Sequence, residues 1–238
     1  MSETMIRVEK VTKSYTRGGQ TLVVLDQLDL EMEEGRFFAL MGPSGSGKTT
    51  LLNLVGGLDH ADSGDLWVAG ENLSELSDAD LAQWRAENVG FVFQGFNLIP
   101  VLPARETVEL PLSLTRLTRR DRRKHARHAL ELVGLGDRVG HRPGQLSGGQ
   151  EQRVAIARAI ASDPKVILAD EPTGDLDRDS ADQVLELLQS LNRDLRKTIL
   201  MVTHDPRAAD HAEHSVHLDK GRLERVEARG TAGAEAQP

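Results

Sequence analysis

The chain has 238 residues, 39% hydrophobic and 28% charged, with a formal net charge of −8. Those proportions fit a soluble globular protein, long enough for one large domain or for a core carrying an inserted subdomain. The absence of cysteine excludes disulfides and thiolate metal sites. No apolar run approaches the length that spans a bilayer, and the acidic balance argues against nucleic acid as a general partner.

The opening "MSETMIRVEK" has no apolar signal-peptide core, so the expected location is the cytoplasm. Residues 5–15, "MIRVEKVTKSY", and 22–32, "LVVLDQLDLEM", alternate apolar and polar, the pattern of half-buried antiparallel strands. "RFFALMG" is a short apolar strand running into a glycine loop, and "TTLLNLVGGL" is the helix after it. "GDLWVAG" predicts a strand, "DLAQWRAEN" a helix and "VGFVFQ" another strand. From about Phe96 to Ser162 helical spacing replaces alternation, which predicts an inserted helical subdomain over about 96–162. The core resumes with "KVILAD" and "KTILMVTHD", near-continuous apolar runs of the kind buried parallel strands show. "SVHLDKGRLERVE" predicts a closing hairpin turned at Asp219-Lys220-Gly221. Residues 229–238 have nothing to bury and are expected to be disordered, leaving one domain over 5–228.

"GPSGSGKT", residues 42–49, matches G-x-x-x-x-G-K-[ST] between an apolar strand and a helix, the context that gives the motif meaning. Gly42, Gly45 and Gly47 let the backbone curl so that successive N–H groups face phosphate oxygens. Lys48 reaches the β- and γ-phosphates, and Thr49 supplies a hydroxyl for Mg²⁺. The helix start adds its positive dipole end. "VILADEP" sets four apolar residues before Asp170 and Glu171, at the strand end where ligands of parallel sheets sit. Asp170 suits a hold on Mg²⁺, and Glu171 is placed to polarise an attacking water. His204, in "VTHD", ends another strand in the same way and is a candidate to hydrogen-bond the γ-phosphate or the water. Gln94 ends "VGFVFQ"; its amide is a candidate contact for Mg²⁺ and the water, at a hinge into the helical insert.

A second glycine turn, "QLSGGQEQRVAIARAI", opens another helix at 145–160. Ser147 there has an ordinary reading as a helix N-cap. With the phosphate loop, "VILADEP", "VTHD" and the glutamine loop, however, the chain resembles the nucleotide-binding subunit of an ABC transporter, from about Ile6 to Val226. The resemblance implies an α/β fold: a phosphate-loop NTPase (RecA-like) core with an antiparallel β subdomain and an inserted α-helical subdomain. It implies ATP as ligand, bound through Gly42, Pro43, Ser44, Gly45, Ser46, Gly47, Lys48, Thr49 and Thr50, with Tyr15 stacked on adenine. It also implies a head-to-tail homodimer, in which Ser147, Gly148, Gly149 and Gln150 act on the partner's ATP and Asp177 ends a loop crossing the interface. "LLNLVGGLD", "GFVFQGFNLIPVL" and "PTGDLD" resemble the MacB/LolD branch, which includes macrolide- and peptide-export and lipoprotein-release ATPases. That implies an integral membrane permease as partner, docking near Phe96–Leu102, and a peripheral place on the inner face of the cell membrane. A cell-division ATPase that signals through a membrane partner without transport is the alternative. Asp175 stands where the branch usually has asparagine, and Glu151 where glutamine is common.

Two further runs complete the sequence. "RLTRRDRRKHARH" at 116–128 reads as a solvated helix face; as a contact it would suit nucleic acid or the anionic cytoplasmic leaflet, the latter favoured by its place in the insert. His211, His214 and His217 lack acidic or cysteine companions, which argues against a metal site.

Overall fold

The computed structural model describes residues 3–228; the expected disordered tail, 229–238, lies outside them. Strands β1 (Thr4–Arg17) and β2 (Gln20–Glu33) pair antiparallel. β3 (Phe37–Met41), buried up to the half-buried Met41, then leads to α1 (Lys48–Val55), which stops where Gly57 turns left-handed at φ 61°. β4 (Ser63–Val68) returns to β1 and carries the short β5 (Glu71–Asn72), giving a four-stranded antiparallel sheet in the order β2-β1-β4-β5. After α2 (Asp78–Asn88) and β6 (Val89–Phe93) come three helices, α3 (Ala104–Leu112), α4 (Arg119–Leu132) and α5 (Gly148–Ile160). β7 (Val166–Asp170), α6 (Arg178–Leu195), β8 (Thr198–Val202) and α7 (Pro206–Ala209) follow, then the hairpin β9 (His214–Asp219) and β10 (Arg222–Ala228).

The second sheet runs β10-β9-β3-β8-β7-β6; all its pairings are parallel except the terminal hairpin. Its central strands face apolar layers on both sides, which explains their unbroken apolar runs. Phe37, Ala39, Ile167, Ala169, Ile199 and Met201 join the core under the helices of the insert and α6. Their alternates Phe38, Leu40, Leu168, Leu200 and Val202 join a second core with α1 and the antiparallel sheet. The period-2 alternation thus divides one strand between two cores. Truncating a fully buried side chain such as Leu200 to alanine costs about 2–5 kcal/mol.

The hairpin turns where expected. Lys220 and Gly221 both have positive φ, 47° and 78°, as a two-residue turn matched to strand twist requires. Helix α4 buries Ala126, Ala129 and Leu130, which leaves most of its basic residues on the outward face. Among the described residues no helix is long and apolar enough to cross a membrane.

Candidate nucleotide site

The loop between β3 and α1 is shaped by close packing. Gly42 has φ 146°, and a Cβ there would lie 2.2 Å from the Leu218 carbonyl oxygen. Gly47, φ 99°, would press a Cβ to 2.7 Å from Leu25 Cδ2 and 2.9 Å from the Val24 carbonyl. The Gly221 N–H of the hairpin turn donates to the Ser46 carbonyl at 3.1 Å, so the closing hairpin buttresses the loop. Helix α1 has no side-chain N-cap and no acid in its first turn. Helices α2, α4, α5 and α6 are capped by Ser77, Thr118, Ser147 and Asp177. The first N–H groups of α1 therefore remain open to an anion. The Lys48 ammonium donates to the carbonyls of Gly42 and Pro43, both at 2.9 Å, and is held at the loop mouth.

Opposite the loop, the ends of β7 and β8 bring Asp170, Glu171 and His204 into one cleft of about 450 Å³ with Gly42, Lys48 and Thr49. Burial pushes the Asp170 carboxyl up, the adjacent Glu171 charge pushes it further, and Lys48 opposes both. Glu171 sits in the left-handed region at φ 48°, its N–H bonded to the Val202 carbonyl at 3.0 Å. Its Oε1 lies 2.8 Å from His204 Nδ1. The hydrogen bond to the Glu171 carboxylate, then its charge, raises the His204 pKa above the usual imidazole value.

Gln94 follows Phe93, which is in register with Asp170, so it stands at the same sheet end. Its Nε2 donates to Asp175 Oδ1 at 2.8 Å. A Cβ on Gly174 would come within 2.9 Å of that amide nitrogen, so the glycine makes room for Gln94. The expected adenine contact, Tyr15, lies outside the cleft lining; its hydroxyl donates to Asp59 Oδ2 at 2.8 Å.

The second glycine turn forms a full capping box. Gln150 N–H donates to Ser147 Oγ at 3.3 Å, and Ser147 N–H to Gln150 Oε1 at 3.0 Å. A Cβ on Gly149 would sit 2.8 Å from Ser180 Oγ, so the first turns of α5 and α6 pack directly together. Asp177 caps α6, accepting from Ser180 N–H at 3.0 Å and Ser180 Oγ at 2.7 Å. None of residues 147–150 lines the cleft built by this chain's own phosphate loop.

Two residues that sequence reasoning missed tie these parts together. Gln152, fully buried, donates its Nε2 to the carbonyls of Phe93 at 3.2 Å and Pro172 at 2.6 Å. Arg158 donates to the carbonyls of Asn97 at 2.6 Å and Phe96 at 3.1 Å. Helix α5 thereby grips both ends of the glutamine loop, whose Phe96 and Asn97 hold positive φ of 56° and 51°. The available signal was a lone amide on the apolar face of "QRVAIARAI". Among the described residues no metal-holding group of three or more His, Cys, Asp or Glu is present, and His214 stacks on Phe38 at 4.9 Å.

Fold and site together define a phosphate-loop ATPase with two adjacent carboxylates, Asp170 and Glu171, at the carboxyl end of a parallel sheet. The ABC transporter family model matches residues 25–174, and the chain belongs to that family as an ATP-binding subunit of the LolD/MacB type. It is 44% identical over 227 residues to an uncharacterised ABC transporter ATP-binding protein of Methanocaldococcus jannaschii, covering 94% of this chain and 97% of that one. It is 44% identical over 222 residues to the lipoprotein-releasing system ATP-binding protein LolD of Chromohalobacter salexigens, covering 93% and 94%. It is 47% identical to a macrolide export ATP-binding/permease protein MacB of Paracoccus denitrificans, over all of this chain but 36% of that protein. A dimeric structure of the M. jannaschii cassette in a post-hydrolysis state, bound to ADP and Pi, superposes with TM-score 0.86 at 43% identity, covering 95% of this chain and all of that one.

Proposed function

We propose that this chain drives export or membrane extraction of a lipoprotein, peptide or macrolide-like substrate by closing as a homodimer around two ATP molecules. The observation that carries the dimer is the placement of Ser147, Gly148, Gly149 and Gln150, which line none of their own chain's cleft. They complete a site only by reaching another copy's nucleotide, and the comparison structure is a dimer. The unit that works is one domain over 5–228 with its helical subdomain over about 96–162, on the cytoplasmic face of the membrane.

Residues 42–50 bind the triphosphate, with Lys48 drawn from its carbonyls to the β- and γ-phosphates. Tyr15 carries adenine. Glu171 accepts the proton of the attacking water, and the 2.8 Å contact to His204 fixes the imidazole at its side. Thr49, Gln94 and Asp170 are hard oxygen donors and fit Mg²⁺; burial, then the neighbouring Glu171 charge, raises the Asp170 pKa, and a cation there would relieve both. When bound, Mg²⁺ supplies charge neutralisation on the β- and γ-phosphates. Asp177 lies at the dimer interface.

The permease docks beside the glutamine loop, where a groove of about 360 Å³ is lined by Leu58, Phe91, Phe93, Pro111, Leu114 and Arg158. Within Phe96–Leu102 the exposed apolar residues are Ile99 and Val101, 44% and 70%, whereas Leu98 packs on the core. Val101→Asp with Leu114→Asp is expected to leave the ATPase of the purified chain intact and to abolish its recovery with membranes. Retained membrane recovery places docking elsewhere.

A further inference from the structure

A cluster outside the catalytic cleft is built around Asp59. Its Oδ2 accepts from the Tyr15 hydroxyl at 2.8 Å, and its Oδ1 accepts from Lys13 Nζ at 2.7 Å and from the His60 N–H at 2.8 Å. The Lys13 side chain is only 10% exposed; its ammonium also donates to the His60 carbonyl at 2.7 Å and stands 5.1 Å from the Tyr15 ring centroid. Asp62 secures the same strand, accepting from Ser14 N–H at 2.7 Å and Ser14 Oγ at 2.6 Å. The β1–β2 register slips at Lys13/Ser14, immediately before Tyr15. Such irregularities re-aim the next side chain.

The other end of the cluster is anchored to the phosphate helix. Gly56, Gly57 and Leu58 N–H groups bond back to the carbonyls of Leu52, Leu54 and Asn53 in α1. Asp59 follows directly, so its position is set by the helix whose first turn faces the phosphates. Tyr15 remains 41% exposed, with the Lys13 ammonium near its ring. A bare aromatic ring on a strand has free χ rotation to lose on binding a base. A ring latched by its hydroxyl and flanked by a cation has lost that freedom beforehand.

We propose that Asp59, held by Lys13, is a positioning residue that locks the Tyr15 ring at a fixed reach from the phosphate loop and so prepays the ordering of the adenine platform. This rests on the reading that Tyr15 stacks on adenine. The selectivity follows from the geometry: the latch favours ligands that carry both a triphosphate and a stackable base, and is indifferent to triphosphate alone.

Equilibrium binding of ATP and of inorganic tripolyphosphate to the full chain tests this. Asp59→Ala is expected to weaken ATP binding about tenfold, within the worth of one base–aromatic stack. Tripolyphosphate binding stays unchanged, and KM for ATP rises while kcat is retained. Tyr15→Phe, which removes the latch from the other side and strands no charge, gives the same loss and keeps the test valid should Asp59→Ala fold poorly. Asp59→Asn, which keeps an acceptor for the hydroxyl, restores most of the affinity. In a Tyr15→Ala background, Asp59→Ala adds no further loss for ATP. Equal weakening of ATP and tripolyphosphate reduces Asp59 to a loop staple and overturns the proposal. Loss of ATP affinity in Tyr15→Ala but not in Asp59→Ala or Tyr15→Phe overturns the latch and leaves the platform standing. Full ATP affinity in Tyr15→Ala overturns the platform itself.

Discussion

At the scale of single residues, the site stores cost where it needs chemistry. Glu171 holds a left-handed backbone that costs an L-residue on the order of 1–2 kcal/mol, and it lies beside a second carboxylate. The raised pKa of Asp170 has a definite sign in stability. A group that binds its proton more tightly when folded contributes stability below its unfolded pKa, and loses that contribution as pH rises through the raised value. At neutral pH Asp170 is therefore a burden on the nucleotide-free fold. Asp170→Asn is expected to raise its thermal midpoint at pH 7, with no gain near pH 3, while abolishing hydrolysis; an unchanged or lowered midpoint at pH 7 contradicts this. His204 behaves as a base that gains a partner. Its contribution is complete below the ordinary imidazole pKa of 6.5 and fades as pH rises through the raised value. The imidazole is 76% exposed, so the stability effect is small, but the titration is readable by NMR. The midpoint is expected above the ordinary imidazole value in the native chain and lower in Glu171→Gln. These residues were legible in the sequence because each is a polar group set against an apolar run. The Gln94–Asp175 contact was not, because it joins residues 81 apart and only the folded register brings them together.

At the scale of elements, α5 is the mechanical centre of the molecule. Its first turn carries Ser147 and packs against the start of α6, its second turn holds Phe93 and Pro172 through Gln152, and its last turn holds Phe96 and Asn97 through Arg158. One rigid helix therefore joins the second glycine turn, the ends of β6 and β7 and the glutamine loop. Gln152→Leu keeps volume but leaves two carbonyls without their donor, at a cost of about 1–3 kcal/mol. A fall in denaturation midpoint of that size is expected, with a larger loss in kcat than in ATP affinity; equal losses make Gln152 a packing residue only. The helices, strands and hairpin were readable from periodicity and turn residues, because those signals are local. Buried-run strands such as "KVILAD" declared both their type and their depth. Periodicity did not reveal what an interior amide bonds to, since the same helical face accommodates a filler and a tie rod. The ordinary reading of Ser147 as an N-cap is realised, in a capping box at the start of α5.

At the scale of the whole molecule, the two cores divide the labour. The antiparallel sheet, α1 and one face of the parallel sheet carry the phosphate loop, while the other face, with α3 to α6, carries the signature turn. In the proposed homodimer a single chain supplies both halves of a nucleotide site from different parts of its surface, and two chains in opposite orientation would complete two sites. That arrangement explains why one modest domain contains two glycine turns at helix starts. The sequence suggests it only through the joint presence of the motifs, because neither turn by itself states which molecule it serves. Glu151, whose carboxyl is pushed up by burial, adds an acid to the first turn of α5.

The central claim is closure of two copies around ATP, and the chain in which hydrolysis is blocked reports on it most directly. Glu171→Gln is expected to lower kcat roughly 10²–10⁴-fold while retaining ATP affinity. In gel filtration at saturating ATP and Mg²⁺ it should elute as a dimer, and Ser147→Arg added to it should return the monomer without loss of ATP binding. A Glu171→Gln chain that binds ATP yet elutes as a monomer under those conditions contradicts the account.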